Sequence, residues 1–509
     1  MNICILTGSY EESDAPTKDY DPLPDPAPYL PSHRCEHYVI RKATAVRQVR
    51  DLMRHGFDVF INLCDGAWDE DRPGVEVAQA LERYGAAFTG ADARFYATTR
   101  ETMKFICHYW DIKTPAYTFV TQTGNLEALT RHLRFPLIVK HPNGYNSVGL
   151  TKASCVQTIE QLYQQASLTI ERFGGALVEE FIEGREFTVL LLENPNDALN
   201  PVAYPPVEFC FPVGETFKHF DLKWIDYQGM TCVPVADSTL AERLQQMAKT
   251  LFVGLNGNSY GRCDIRMNGE GELYMLEINQ NCSIFYPPEE AGSADFILLQ
   301  MPNGHHDFAE KMIEAALNRQ RKGIKKWALS LHPVSGFGLY ATSDIAAGEM
   351  IVQYEEQAHF LVSKTHVHQH WNATQKGWFA QYAWPLTEEV WATWSPDPND
   401  WKPINHGCDP NVWLEGLDMV ARRPIACGEQ LTIDYATFCS DLMQPFVCHC
   451  GAPDCRGEIL ATDHLEPFVE RYGEHVSDYI RSKRQGMAGQ RNGYRPTIGV
   501  HEHFLVMGD

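Results

Sequence analysis

No stretch of the 509-residue sequence carries the ~18 uninterrupted apolar residues that a membrane-spanning helix requires, because charge or proline breaks each of the longer candidates. Cationic surplus is lacking too: 43 Lys and Arg stand against 66 Asp and Glu, a formal net charge of −23. That excess repels a phosphate backbone, so direct nucleic-acid binding is not expected, while a basic peptide or a small amine remains a compatible partner. The opening run Asn2-Ile3-Cys4-Ile5-Leu6-Thr7-Gly8 has neither the basic n-region nor the cleavage site of a signal peptide and reads as a buried first strand. No internal repeat of fixed period is present. The 15 cysteines lack the spacing of a secreted disulfide framework; they are scattered singly and bunch only near the end. A reducing compartment follows, the cytoplasm first and the nucleus second.

What the chain does have is enough apolar residue, 44%, to bury two or three cores. Short apolar runs such as Asp58-Val59-Phe60-Ile61-Asn62-Leu63 and Pro136-Leu137-Ile138-Val139-Lys140, with amphipathic stretches between them, indicate α/β structure. The proline-rich piece from Tyr20 to Pro31 reads as a surface loop, a spacer rather than a substrate-facing segment. Helical spacing from Phe308 to Leu317, then the basic run Asn318-Arg319-Gln320-Arg321-Lys322-Gly323, places the main boundary there. Beyond it, Pro and Gly punctuate short strand-like pieces through about residue 465, mostly β. Residues 466–484 read as one helix and Gln485 to Pro496 as a mobile tail.

The motif Tyr260-Gly261-Arg262-Cys263-Asp264-Ile265-Arg266, a Gly-rich turn, then Leu273-Tyr274-Met275-Leu276-Glu277-Ile278-Asn279 reads as a β-hairpin. Alternation lets Asp264, Glu277 and Asn279 converge as hard oxygen ligands for Mg²⁺. Upstream, Lys140 ends a strand, Gly144-Tyr145-Asn146-Ser147-Val148-Gly149 offers backbone NH groups to phosphates, and Val178-Glu179-Glu180-Phe181-Ile182-Glu183-Gly184-Arg185-Glu186 suits an adenine edge and ribose hydroxyls.

In this order the blocks resemble the ATP-grasp superfamily, in its D-alanine:D-alanine ligase branch, over about residues 1–290. The resemblance implies ATP held by Arg100, Lys140, Ser147 and Lys223 at the phosphates, Glu179 and the Ile182 backbone at adenine and Glu186 at ribose. Asp264, Glu277 and Asn279 would hold Mg²⁺, and Arg262 would be the catalytic residue that neutralises a tetrahedral oxyanion. Arg100 replaces a lysine that touches phosphate and keeps its charge; the chain departs from the branch where amino-acid substrates are oriented, with Trp224 in place of a tyrosine, Asn146 of a serine, and Gln280-Asn281-Cys282-Ser283-Ile284-Phe285 of a Pro-Gly turn. Another carboxylate and another amine are therefore expected as substrates. The family is often dimeric, which implies a homodimer.

Near the other end, Cys448-His449-Cys450-Gly451-Ala452-Pro453-Asp454-Cys455 and Cys408 in Asn405-His406-Gly407-Cys408 offer four thiolates to structural Zn²⁺, with Cys427 and Cys439 as core residues. With Ser335-Gly336-Phe337-Gly338-Leu339-Tyr340 and Leu431-Thr432-Ile433-Asp434-Tyr435, residues 327–462 resemble a SET-domain methyltransferase with a post-SET zinc segment. The resemblance implies S-adenosylmethionine bound by Phe337, Gly338, Asn405, His406 and Tyr435, with Tyr435 catalytic, and methyl transfer to an amine, usually lysine. Trp401-Lys402-Pro403-Ile404 stands in place of the usual Arg-Phe pair, and Ile433 occupies a commonly aromatic position. His366, His368 and His370 read as a polar strand or loop rather than a second metal site. Trp371, Trp378, Phe379, Trp384, Trp391 and Trp394 read as core and channel wall rather than an aromatic cage.

The expected organisation is an ATP-grasp N-terminal subdomain (1–115), nucleotide-binding and catalytic subdomains (116–323), a SET domain (324–442), a post-SET zinc segment (443–465) and a C-terminal tail (466–509). The expected function is a bifunctional enzyme that ligates a carboxylate to an amine with ATP, acting on an amino acid or peptide, and methylates an amine. The alternative is a protein-lysine methyltransferase whose ATP-grasp part binds nucleotide or serves as a scaffold.

Overall fold

The computed structural model describes residues 1–491 apart from 12, 16, 68–69, 145, 226–228, 324–325, 333–335, 353–359, 394–402 and 440–442. The chain divides into two compact units, residues 1–324 and 325–509. In the first unit, β1 (Asn2–Gly8), β2 (Arg34–Ile40), β3 (Val59–Asn62) and β4 (Phe88–Thr89) form a parallel sheet in the order β2-β1-β3-β4. Alternation sorts β1 between two cores. Cys4 and Leu6 pack with Val49, Leu52, Val77 and Leu81 of two helices, whereas Ile3 and Ile5 pack with Phe308, Met312 and Ile313 of the long helix Gly304–Gly323. Burial on both faces is why the opening run is continuously apolar.

An antiparallel sheet follows, β5 (Tyr117–Val120), β6 (Leu137–Lys140), β7 (Cys155–Val156) and β8 (Ala176–Glu180), in the order β5-β8-β6-β7. Leu162 and Ala166 of helix Ile159–Phe173 seal its back. The third sheet comprises β9 (Arg185–Leu192), β10 (Val202–Ala203), β11 (Val207–Cys210), β12 (Thr231–Pro234), β13 (Tyr260–Met267) and β14 (Leu273–Gln280), ordered β12-β11-β9-β13-β14 with β10 on β9. Helix Ser238–Gly254 covers its apolar face through Leu240, Leu244, Ala248 and Leu251.

One irregularity in this sheet decides where functional side chains point. Asp264 pairs with Glu277, but the next residue, Ile265, pairs with Met275. Leu276 is therefore an extra residue on β14. Leu273 and Met275 point into the apolar core before this bulge and Ile278 does so after it. Without the bulge a strict period of two would send Glu277 and Asn279 into that core; the one-residue slip flips both to the open face.

The second unit is built from short strands: β15 (Trp327–His332), β16 (Gly336–Ala341), β17 (Met350–Val352), β18 (Phe360–Ser363), β19 (Trp384–Pro385), β20 (Val390–Thr393), β21 (Asn405–His406), β22 (Val412–Glu415), β23 (Asp418–Ala421), β24 (Thr432–Ile433), β25 (Phe446–Val447) and β26 (Glu458–Ile459). They pair as β15-β16, β17-β23-β22, β18-β20-β19, β21-β24 and β25-β26. Leu339, Val352, Ile404, Val412, Leu414, Leu431 and Ile433 make the common core.

Several expectations are corrected here. Residues 466–484 are not one helix: a 3-10 turn, Pro467–Tyr472, ends at Gly473 with φ of 56°, and a separate helix runs Asp478–Arg491. Residues 485–491 thus belong to that helix rather than to a mobile tail, and 492–496 lie outside the described residues. The His366–His370 segment is a helix, Lys364–His370, not a strand or loop. Cys427 is exposed rather than core, its thiol set against the Thr342 carbonyl, and Cys439 is half-buried. Trp371, Phe379 and Trp391 pack in one apolar cluster and Trp378 and Trp384 in another; Trp394, Trp401, Lys402 and Ser335 lie outside the described residues.

Candidate functional site

Between the second and third sheets lies a cleft of about 850 Å³. β13 supplies Arg262, Asp264 and Arg266 to it from one face, while Cys263 and Ile265 face the core. Asp264 and Glu277 stand opposite each other across the hairpin, and Asn279 Nδ2 lies 3.2 Å from Asp264 Oδ2. The three oxygen-bearing side chains predicted from sequence are thus brought together. Burial pushes the Asp264 carboxyl up, but Arg262 at 3.1 Å and Lys218 at 3.9 Å outweigh it and hold the group well below the usual carboxylate range. Two carboxylates and an amide on one wall suit a hard divalent cation.

Cations line the same space. Arg100, first residue of helix Arg100–Tyr109, donates through Nε to Glu277 Oε2 at 2.8 Å and through Nη1 to the His141 carbonyl at 2.8 Å. Lys140 at the end of β6 pairs with Glu179 Oε2 at 2.7 Å, and Lys104, one turn beyond Arg100, pairs with Glu179 Oε1. Burial pushes the Glu179 carboxyl up; the two ammonium groups override it and bring it down to about 2. Glu179 therefore meets the cleft as the counter-ion that fixes two lysines. Glu186 accepts from Arg266 across the β9–β13 pair at 3.1 Å and from Lys218 at 3.1 Å. Ile138, Phe181, Ile182, Phe217 and Leu276 give the cleft its apolar wall.

The loop of Asn146 and Ser147 closes over this space and is tied to Lys218 and to the short helix Phe220–Trp224. Ser147 Oγ donates to the Lys218 carbonyl at 3.0 Å, Lys223 Nζ to Asn146 Oδ1 at 3.1 Å, and Trp224 Nε1 to the Asn146 carbonyl at 2.9 Å. Asn146 and Trp224, two of the departures seen in the sequence, are thus partners. Burial together with the charges of Arg262 and Lys218 lowers the Lys223 ammonium to about 8. Past these residues opens a chamber of about 1080 Å³, which shares Asn146, Lys218, Lys223, Arg262 and Asn279 with the cleft and is walled by Trp224, Met230 and Phe296. Tyr20 and Pro22 line it; the proline-rich loop read as a spacer faces the chamber instead.

In the second unit, parallel pairing of β21 with β24 sets Asn405 beside Thr432 and His406 beside Ile433. Asn405 Nδ2 donates to the Phe337 carbonyl at 3.2 Å, His406 Nδ1 accepts from the Tyr435 amide at 3.2 Å, and the Tyr435 hydroxyl donates to the Ile404 carbonyl at 2.8 Å. All five predicted S-adenosylmethionine residues therefore cluster. A Cβ on Gly338 would come within 2.5 Å of Gln430 Nε2 and 2.7 Å of Asn405 Nδ2, so a larger residue here has to displace the ends of both side chains. Burial lowers the His406 imidazole to about 4 and raises the Tyr435 phenol, so both are neutral at pH 7.

The sulfur atoms of Cys408, Cys448, Cys450 and Cys455 all lie within 4.8 Å of one another. Four sulfurs at that spacing fit the tetrahedron of a Zn–S bond of about 2.3 Å. Burial pushes the Cys450 thiol up, but hydrogen bonds from the Ala452 and Cys408 backbone bring it down to about 7. Among the described residues no other group of three His, Cys, Asp or Glu side chains gathers in this way.

The first unit has the architecture of an ATP-grasp ligase and the second that of a SET domain. The family comparisons assign them in the same terms: residues 107–283 match the D-ala D-ala ligase C-terminus and residues 336–436 the SET domain. Among curated proteins, the chain is 28% identical over 239 residues to the D-alanine-D-alanine ligase of Bordetella avium, covering 46% of this chain and 72% of that protein. It is 26% identical over 237 residues to that of Ralstonia pickettii, covering 46% and 69%. Among solved structures it is similar to the D-alanine-D-alanine ligase from Bacillus anthracis complexed with ATP, at a TM-score of 0.47 and 18% identity, covering 63% of this chain and 98% of that one.

Sequence reading missed Lys104, Lys218 and Arg266, which order the cleft carboxylates, and Asp434, which is wholly buried beside Tyr435. Arg266 stands two residues beyond Asp264 on the same strand, so its alternation with Asp264 was the available signal; Lys218 lies outside any regular element, where no period points to it.

Proposed function

We propose that the first unit activates a carboxylate with ATP and passes the acyl group to an amine, and that the second transfers a methyl group from S-adenosylmethionine to an amine. The observation that carries the ligase half is the wall shared by cleft and chamber, where Lys218, Lys223, Arg262 and Asn279 face both spaces. A carboxylate in the chamber approaches the γ-phosphoryl end of a nucleotide in the cleft through a set of cations. Asp264, Glu277 and Asn279 would hold Mg²⁺, which when bound would neutralise charge on a transferring phosphoryl group.

The chain's own residues do the rest. Arg100, Lys140 and Lys223 bind phosphate oxygens, and Glu179 keeps Lys140 in place. Ser147 and the Ile182 backbone position the nucleotide, and Glu186 receives ribose hydroxyls. Arg262, anchored by Asp264, neutralises the oxyanion that forms when the amine attacks the acyl phosphate. Water is kept out by the Asn146 loop and the Trp224 helix tied to it.

In the second unit, Phe337, Gly338, Asn405 and His406 form the cradle of the methyl donor. The neutral phenol of Tyr435, anchored on the Ile404 carbonyl, aligns the acceptor nitrogen, so that orientation supplies most of the rate. The four cysteines would hold structural Zn²⁺ as thiolates in a post-SET segment, a use that fits a reducing compartment such as the cytoplasm. Among the described residues no helix is long and apolar enough to cross a membrane. The acceptor is a small amine or a lysine side chain of a protein.

Release of ADP and phosphate, followed while pools of amino acids are supplied with ATP and Mg²⁺, tests the ligase half. Release that depends on an added amino acid supports it, and its absence with every pool contradicts it. Labelled methyl transfer to amino-acid products and to protein lysines tests the other half in the same way.

A further inference from the structure

Lys218 lines both the cleft and the chamber. Its ammonium stands 3.1 Å from Glu186 Oε1 on β9 and 3.9 Å from Asp264 Oδ1 on β13, with the centre of the Phe209 ring 3.7 Å away. In the ligase reading those two carboxylates mark two parts of a bound nucleotide: Glu186 the ribose, and Asp264 the metal ion on the phosphates. A cation between them lies along the phosphate chain. Its backbone is held there as well, because the Lys218 carbonyl accepts from Ser147 Oγ at 3.0 Å.

Neither carboxylate depends on this lysine. Glu186 Oε2 is paired with Arg266 Nη1 at 3.1 Å, and that guanidinium is fixed by donating through Nη2 to the Gly184 and Thr216 carbonyls at 3.0 Å and 2.9 Å. Asp264 accepts from Arg262 through Nη2 at 3.1 Å and Nε at 3.3 Å. Each carboxylate thus has an arginine of its own, and Lys218 brings a further positive charge to the same network. Its side chain is only 12% exposed, so little water solvates that charge and an anion in the cleft would balance it. Arg266 is held on three acceptors by its planar fork. The ammonium of Lys218, on a flexible four-carbon stem, can turn from Glu186 to a neighbouring oxygen without stranding a carboxylate.

We propose that Lys218 is a further catalytic residue of the ligase centre, whose ammonium takes an oxygen of the γ-phosphoryl group and stays with that group through transfer. Its place on the wall shared with the chamber assigns it the terminal phosphoryl group, the one that meets the carboxylate. A carboxylate oxygen bonds to the γ-phosphorus as the bond from that phosphorus to the β,γ-bridging oxygen breaks. ADP leaves with the electron pair, and the phosphoryl oxygens, now part of the acyl phosphate, remain against Lys218, which neither gives nor takes a proton. The inference rests on the ligase reading for the transfer step and adds a residue to that same centre.

Equilibrium binding to the full chain in the presence of Mg²⁺ tests it, comparing ADP with a non-hydrolysable ATP analogue. In Lys218→Met the triphosphate analogue is expected to bind about tenfold more weakly, the loss of one charge-assisted contact, while ADP binds as it does to wild type; Lys218→Arg keeps most of the triphosphate preference. An unchanged preference in Lys218→Met overturns the inference, and so does an equal weakening of both nucleotides, which a merely structural role would give. If Lys218→Met does not fold, the wild-type chain decides. An ATP analogue with an aldehyde on its terminal phosphate condenses with a lysine amine, releasing water, and borohydride reduces the imine so that peptide mapping locates it. Label at Lys218 supports the inference, and label confined to other lysines overturns it. Loss of the triphosphate preference in a chain whose wild type releases no ADP with any amino acid leaves the phosphate contact standing and refutes the ligase reading instead.

Discussion

Asp434 and Arg456 form a bidentate pair, with Arg456 Nη1 donating to Oδ2 at 2.7 Å and Nη2 to Oδ1 at 2.8 Å. The pair joins the residue before Tyr435 to the residue after Cys455, so the proposed catalytic phenol and the thiol cluster share one electrostatic support. Tyr472 adds a donor to Asp434 at 2.7 Å and Arg471 another at 3.4 Å.

Removal of Asp434 takes a buried carboxylate from Arg456, Arg471 and Tyr472 together and leaves Arg456 with Asp463 alone, at 3.2 Å; the lost charge-assisted bonding costs on the order of 1.5–3 kcal/mol. Asp434→Ala is therefore expected to lower the denaturation midpoint of the second unit and abolish methyl transfer, with ADP release from the first unit retained. Burial pushes the Asp434 carboxyl up, while Arg456 and His406 win and hold it low. Its stabilising contribution is complete above the ordinary aspartate value, about 3.9, and fades as pH falls from there through the depressed folded value. Denaturant titrations of wild type and variant at a series of acid pH values report the converging midpoints.

Lys223 gives a pH dependence of the opposite kind. With its ammonium lowered to about 8, it loses its charge as pH rises through that value, and phosphate binding weakens. The expected outcome is an ATP dissociation constant that is level below pH 8 and rises above it. Lys223→Arg moves the rise upward because a guanidinium stays charged. Nucleotide titrations between pH 7 and 10 check this.

Gly338→Ala introduces a methyl group within 2.5 Å of Gln430 Nε2 and 2.7 Å of Asn405 Nδ2. Displacement of those amides, Asn405 from its bond to the Phe337 carbonyl included, should weaken S-adenosylmethionine binding severalfold. Equilibrium binding of the donor measures the effect, and the melting of the first unit serves as the internal control.

Chelation of zinc is expected to lower both the thermal stability of the second unit and methyl transfer, and to leave amino-acid-dependent ADP release unchanged. Metal analysis of the purified chain should return one zinc, and Cys450→Ser should reduce it.

Local chemistry made much of this legible in the sequence. The four cysteines declare themselves because three lie within eight residues, Cys448 to Cys455, and thiolates at that spacing have few other uses. The hairpin of Arg262, Asp264, Glu277 and Asn279 shows in its alternation. The bulge at Leu276, which brings Glu277 and Asn279 to the cleft, leaves no sequence mark because it is a matter of register between strands. Glu186, Lys218 and Asp264 come from three separate segments, and no local period predicts their convergence. Lys364–His370 lacks an apolar stripe that would announce a helix; Ser363 caps it and Glu389 accepts from the Thr365 amide, a contact 24 residues away.

The central claim is that one chain carries two separate reaction centres, and parallel assay of ADP release and labelled methyl transfer in Arg262→Ala and Tyr435→Phe tests it most directly. Arg262→Ala should lower amino-acid-dependent ADP release by about 10²–10³ and spare methyl transfer, and Tyr435→Phe should do the reverse. Wild-type protein that releases no ADP with any carboxylate and amine, or transfers no methyl group to any amine, would contradict it.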